Sequence, residues 1–300
     1  MFQSSRKAGP LMKGALIAVC SALSILMFQA LPSRAQQPAA SAHRHRGGGG
    51  FTQPEPIDFN DHAGWTSMFD GSTLNGWDGD TKYWRVEDGA ITVESSCEKP
   101  TGTIYLVWKG GQPADFEMKL EMRGEGAQVN SGIQYRGAIL PPSEAGRGPG
   151  GGRQASGVCP SGQPRGVPPS KESQAKWDML GPQFDFDGRN QYTGQFYEQA
   201  TGRGIIAWRG QVVHTEEGKK PRLIATLGDP KALGGYVNVD GWNQLHLIAR
   251  GHEMIHIVNG RTMAILMDDD ATKFRKSGLI GFEIEGFGKI SIRDIWIKKL

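Results

Sequence analysis

Four side chains in this sequence combine proton-transfer chemistry with a legible local pattern: Glu121, Asp185, Glu198 and His256. A carboxylate or an imidazole acts as general base or acid when it stands within hydrogen-bond reach of the reacting atom. Glu121 lies in the run Phe116 to Arg123, where Phe116, Met118, Leu120 and Met122 alternate with Glu117, Lys119, Glu121 and Arg123. A strand sends the two sets to opposite faces, so Glu121 points away from the packed face, as a cleft carboxylate or as a solvated surface charge. Gln183, Asp185 and Asp187 alternate in the same way and project to one side. Asp185 is a candidate base, or an oxygen ligand for a divalent cation. Asp185-x-Asp187-Gly188-x-Asn190 places its glycine too early for a calcium loop of the EF-hand kind, so no metal ligand set is read. His256 precedes an Asn259-Gly260 turn and either exchanges protons near neutral pH or is a hydrogen-bonded strand histidine.

Around these stand polar side chains suited to holding a ligand rich in hydroxyls. Gln134 and Arg136 share one parity after Asn130-Ser131-Gly132, where Asn130 and Gly132 also suit a turn. Arg123 shares the polar face of Glu121, and Gln183 that of Asp185. Tyr197, Glu198 and Arg203 lie on a glycine-rich stretch and supply an aromatic face, a carboxylate and a cation. A plain ion pair between Glu198 and Arg203 is the competing reading. Asp268-Asp269-Asp270 reads as a solvated loop.

Short strands must position these groups, because the sequence has period-two runs and no long helical stripe. Trp84-Arg85-Val86-Glu87, Asp88-Gly89, Ala90-Ile91-Thr92-Val93 is a two-residue hairpin, and Met254 to Val258 turns at Asn259-Gly260 in the same manner. Many such strands predict an all-β sandwich or barrel. In the last strand Ile290 and Ile292 give way to Ile295 and Ile297, a phase slip that predicts a bulge near Arg293-Asp294. Residues 138–175, with Pro141-Pro142, Gly148 to Gly152 and Pro168-Pro169, read as a long Gly/Pro-rich inserted loop. Cys97 and Cys159 are either two free thiols or, in an oxidising compartment, a pair that would pin this loop to the sandwich.

The first 35 residues carry Arg6, Lys7 and Lys13 ahead of the apolar run Gly14 to Phe28 and then Ser33-Arg34-Ala35, a secretory signal with cleavage after Ala35. The chain is expected to be exported, periplasmic or secreted, without a permanent membrane span. Loss of that segment takes the formal charge from +3 to −1, since Arg6, Lys7, Lys13 and Arg34 go with it. A nucleic-acid partner therefore has no electrostatic support. Residues 36–60, with Ala42-His43-Arg44-His45-Arg46 and four glycines, read as a flexible linker, leaving one domain over residues 61–300.

Local patterns along this domain resemble the 3-keto-disaccharide hydrolase family. They are Trp65 to Phe69 with Asp70-Gly71-Ser72-Thr73-Leu74-Asn75-Gly76-Trp77, then Trp84-Arg85-Val86-Glu87-Asp88-Gly89 and Asp115-Phe116-Glu117. They continue through Asn130-Ser131-Gly132-Ile133-Gln134-Tyr135-Arg136, Gly181-Pro182-Gln183-Phe184-Asp185, Tyr192-Thr193-Gly194, Tyr197-Glu198 and Trp242-Asn243. The resemblance implies a concanavalin A-like jelly roll of two antiparallel sheets, with a carbohydrate substrate on the concave one. It implies cleavage of a glycoside oxidised to a ketone at carbon 3, by elimination across carbons 1 and 2 and then hydration. A base, an oxyanion stabiliser and a leaving-group acid are required. Two features depart from the family pattern: the inserted loop, and Gly281-Phe282-Glu283-Ile284-Glu285-Gly286 where members often carry a Gln and a His. The alternative is a lectin-like carbohydrate-binding module without converging carboxylates. A retaining glucanase is disfavoured because no Glu-x-Asp-x-x-Glu strand is present.

Overall fold

A computed structural model describes residues 54–141 and 157–300. The signal segment, most of the linker and residues 142–156 of the inserted loop lie outside the described residues. The compact unit spans Glu55–Leu300. In chain order its strands are β1 (Thr66–Ser67), β2 (Trp77–Gly79), β3 (Arg85–Glu87), β4 (Ala90–Ser95), β5 (Ile104–Trp108), β6 (Phe116–Ile139), β7 (Met179–Asp187) and β8 (Phe196–Gln199). There follow β9 (Gly204–Ala207), β10 (Gln211–Glu216), β11 (Arg222–Thr226), β12 (Asn243–Arg250), β13 (Glu253–Val258), β14 (Arg261–Asp269) and β15 (Leu279–Lys299), with two short helices at Lys171–Gln174 and Pro230–Gly234. Both hairpins form where expected. Asp88 and Gly89, and likewise Asn259 and Gly260, take positive φ, the requirement of a two-residue turn whose twist matches its strands.

The two longest strands, β6 and β15, pair antiparallel over almost their whole length and make the sandwich by bending together. The bend falls at Gly126 (φ +104°) and Gly288 (φ +147°), where the β6–β15 register shifts between Phe287 and Lys289. A side chain at Gly288 would set its Cβ 2.4 Å from the Glu125 carbonyl oxygen, so glycine is what lets the two strands turn. On one side of the bend, residues 116–125 of β6 and 289–299 of β15 lie in the layer β11-β10-β14-β13-β12-β6-β15-β4-β3. Beyond it, β6 and β15 continue beside β7, β8 and β9 on one side and β5 and β2 on the other. Within the first layer β10 runs parallel to β14, so the expected all-antiparallel pairing is modified at that edge.

One apolar core fills the space between the layers, with Phe116, Met118, Leu120, Leu247, Ile290 and Ile292 from one and Ile133, Tyr135, Phe184, Phe196, Phe282 and Ile284 from the other. The architecture is a mostly-β jelly-roll sandwich. The bulge foreseen near Asp294 is present, with a register shift between Arg293 and Trp296 and φ +51° at Asp294.

Cys97 and Cys159 are bonded, their Cα atoms 5.7 Å apart. The bond closes a 62-residue separation, packs on Phe287 and ties the inserted segment to the end of β4. Reduction is expected to lower stability by ~2–4 kcal/mol, chiefly by releasing the unfolded chain. Urea unfolding with and without dithiothreitol measures this, and coincident midpoints would show that the bond contributes nothing to the fold.

Candidate functional site

The outer face of the second layer carries a pocket of about 280 Å³. Its floor follows from strand register. Glu283 on β15 pairs with Gly132 on β6, and Gly132 pairs with Asp185 on β7, so the three stand side by side on adjacent strands. Phe282 and Ile284, and likewise Phe184 and Phe186, point into the core, which turns Glu283 and Asp185 outward to the same surface. Two strand spacings, roughly 10 Å, separate their backbones, and Gly132 places no side chain of its own in the gap between them. Gln183 leans into that gap and donates Nε2 to Glu283 Oε2. A Cβ at position 132 would meet Gln183 Cγ at 2.7 Å. One rung along, Glu285 pairs with Asn130, which pairs with Asp187.

The environments of the two floor carboxyls differ. Asp185 is buried and is pushed well above the usual carboxylate range, first by desolvation and then by the negative charges of Glu283, Asp187 and Glu285. The Gln195 amide, donating to Oδ2 at 2.6 Å, opposes this only in part. Glu283, buried as well, accepts from the Tyr105 hydroxyl at 3.0 Å and from Gln183. Tyr192, Tyr197, Trp208 and Ile205 form the walls, and Gln199 closes one side. Tyr192 and Trp208 lie 6.4 Å apart with their rings tilted. Among the described residues no group of three or more His, Cys, Asp or Glu side chains is arranged to hold a metal ion.

Of the residues singled out in the sequence, Asn130, Gln183, Asp185 and Tyr197 meet in this pocket. The others do not. Glu121 and Arg123 precede the bend in β6, so their outward face belongs to the opposite surface of the sandwich. Glu121 is paired there with Arg293 at 2.7 Å, and Arg123 lies over the Trp242 ring beside Glu125. Gln134 is buried and donates to the Gly181 carbonyl. Arg136 sits at a bulge with φ +45°, which breaks the alternation and turns its guanidinium inward to the carbonyls of Ala114 and Gly251 and to Asp115.

His256 faces the core from β13, stacked between Phe184 and Phe196 at 4.0 and 3.6 Å and hydrogen-bonded to the Tyr135 hydroxyl. Desolvation holds its pKa well below the usual histidine value, so it is neutral and lies beneath the pocket floor. Glu198 points away from the pocket, between Tyr197 and Gln199 that line it. It pairs with Arg203 at 3.0 Å, while Arg203 grips Asp268 with two bonds of 2.8 and 3.0 Å. Asp268, read from sequence as part of a solvated loop, is buried at the end of β14. Asp187 is spent on the turn after β7, accepting from the amides of Gln191, Tyr192 and Thr193.

Glu283, Glu285, Gln195, Tyr192 and Trp208 are pocket residues that the sequence reading does not single out. For Glu283 and Glu285 a signal existed, the alternation of Phe282, Glu283, Ile284 and Glu285. Gln195 lies in the turn between β7 and β8, where no periodicity directs a side chain.

Among solved structures, a candidate glycosyl hydrolase from Parabacteroides distasonis is 18% identical, with a TM-score of 0.45 over 79% of this chain and 94% of that one. The carbohydrate binding module CBM66 from Bacillus subtilis is 11% identical, with a TM-score of 0.42 over 75% and 96%. A galectin-like protein of Bacillus subtilis is 12% identical, with a TM-score of 0.44 over 74% and 88%. The chain has no significant match among curated protein sequences. The model of the 3-keto-alpha-glucoside-1,2-lyase-like domain matches residues 64–298, nearly the whole described unit, and the chain belongs to that carbohydrate-active family.

Proposed function

We propose that the pocket cleaves 3-keto-glycosides by elimination across carbons 1 and 2, followed by hydration. The observation that carries this reading is the pair Glu283 and Asp185, which face one pocket across Gly132, Asp185 with its pKa pushed well above the usual carboxylate range and Glu283 held by Tyr105 and Gln183. The 3-ketone acidifies the hydrogen on carbon 2. Glu283 takes that proton, and the electrons of the C2–H bond pass into an enolate whose oxygen is the former ketone. Asn130 and Tyr192 line the pocket as donors to that oxygen. The enolate collapses, a C1–C2 double bond forms, and the C1–O bond breaks as protonated Asp185 gives its proton to the departing glycosidic oxygen. Water then adds at carbon 1 and returns a proton to carbon 2, giving the free 3-keto sugar.

The lectin-like reading expects aromatic and polar contacts without converging carboxylates, whereas Asp185, Glu283 and Glu285 share this pocket. Export is part of the proposal. Residues 1–35 read as a signal, and a Cys97–Cys159 bond persists in an oxidising compartment.

The test is sugar release from 3-keto-trehalose or 3-keto-sucrose by protein lacking residues 1–35, with and without chelator, across pH. The rate is expected to fall as pH rises through the elevated pKa of Asp185, because the acid form is consumed. No release under any metal condition overturns the proposal.

A further inference from the structure

A second cavity of about 290 Å³ adjoins the first and shares Asn130 and Tyr192 with it. It is lined by Gln128, Gly157, Val158, Asp187, Arg189 and their neighbours. Each cavity alone falls just below the roughly 300–1,000 Å³ that small-molecule sites span, and the two together fall inside it. The far wall belongs to the inserted segment, and four contacts hold it in place. Val158 N donates to Gln128 Oε1 at 2.6 Å, and Gln128 Nε2 donates to the Val158 carbonyl at 3.1 Å. Gly157 lies against the Phe287 ring so closely that a Cβ there would come within 2.5 Å of it. The disulfide fixes the next position but one, Cys159, to Cys97.

Of the charged groups in this cavity, Asp187 is saturated by turn amides and the Thr193 hydroxyl. Arg189 uses Nε on the Ala127 carbonyl at 2.7 Å, and among the described residues its two terminal nitrogens have no partner. They are donors suited to hydroxyl oxygens at the mouth.

We infer that this cavity is a second sugar subsite, built by the disulfide-anchored segment and Arg189, which holds a neutral departing ring while the reacting ring occupies the first pocket, over Glu283 and Asp185. The assignment of the two rings rests on the proposed function; the two-ring site itself does not. The carboxylates of the first cavity argue against an anionic second ring, which they would repel.

Calorimetric titration with trehalose and sucrose, against methyl glucoside as the single-ring probe, tests the subsite without any turnover. A disaccharide preference of tenfold or more is expected. It should fall to twofold or less in Arg189→Ala, a change at an exposed side chain, and in Cys159→Ser, which frees the wall; thermal melting confirms that both variants are folded. Equal affinity of one-ring and two-ring probes in the parent protein, or an unchanged preference in folded Arg189→Ala, overturns the inference. A clear two-ring preference without release from 3-keto-trehalose would sustain the subsite and sink the elimination chemistry. Turnover with no two-ring preference would do the reverse.

Discussion

Glu283→Gln is expected to lower kcat on 3-keto-trehalose by ~10²–10⁴-fold, the range that a positioned general base contributes. The replacement keeps the shape of the side chain and its acceptor for the Tyr105 hydroxyl, and the new amide can re-pair with Gln183, so ground-state binding and KM should change little. Folding should survive for an electrostatic reason, since removal of one negative charge relieves the repulsion that Asp185 feels from Glu283. That same relief provides a second readout. Glu283 is among the charges that raise the Asp185 pKa, so in the variant this pKa drops, and the alkaline fall of any residual rate moves to lower pH. A merely structural glutamate would not move that limb. A folded variant with unchanged kcat would remove Glu283 from the chemistry and with it the acid–base pair on which the proposed function stands.

Local residue types mark the turns of this chain but not the place where its two long strands bend. Turns were legible because Asp88-Gly89 and Asn259-Gly260 are the dipeptides that tolerate positive φ at both positions, a requirement read from residue type alone. The apolar phase of Phe116 to Met122 was legible for the same local reason. The site was not, because its geometry depends on where two strands bend. Glu121 and Asn130 lie on one strand, nine positions apart, yet the bend at Gly126 and Gly288 sends their outward faces to opposite surfaces. Nothing in a period-two pattern marks that event.

Arg136 failed alternation at a bulge with positive φ, where a non-glycine residue gives no warning. His256 is a different case. Met254, His256 and Val258 share one parity and are all buried, but Ile255 and Ile257 make the other parity apolar too, so the run itself gave no direction for the histidine. The parallel pairing of β10 and β14 joins segments far apart in the chain, and local patterns carry no information on such a choice.

Arg203→Ala is expected to destabilise the fold by ~3–5 kcal/mol at neutral pH, the cost of leaving buried charge without its partner. Arg203 is the one cation bonded to both Glu198 and Asp268 among the described residues, and both carboxylates are buried, joined by Thr201 and Thr215 hydroxyls. Surface pairs of this type contribute little, but burial changes the sign of the argument, since neither acid can turn to water once the guanidinium is gone. The pH dependence follows from Glu198. Desolvation already raises its pKa in the parent, and Arg203 is the principal influence holding it down. In the variant the folded-state pKa rises further above the unfolded value. Such a group favours the folded state while protonated and loses that contribution as pH climbs through the folded pKa. The stability deficit should therefore be largest near pH 7.5 and shrink on acidification toward pH 5, as Glu198 takes up a proton and its unpaired charge disappears. Urea unfolding of parent and variant at the two pH values measures the difference. A deficit under ~1 kcal/mol, or one independent of pH, would mean that the network behaves as a solvated surface pair and does not brace β8 against β14.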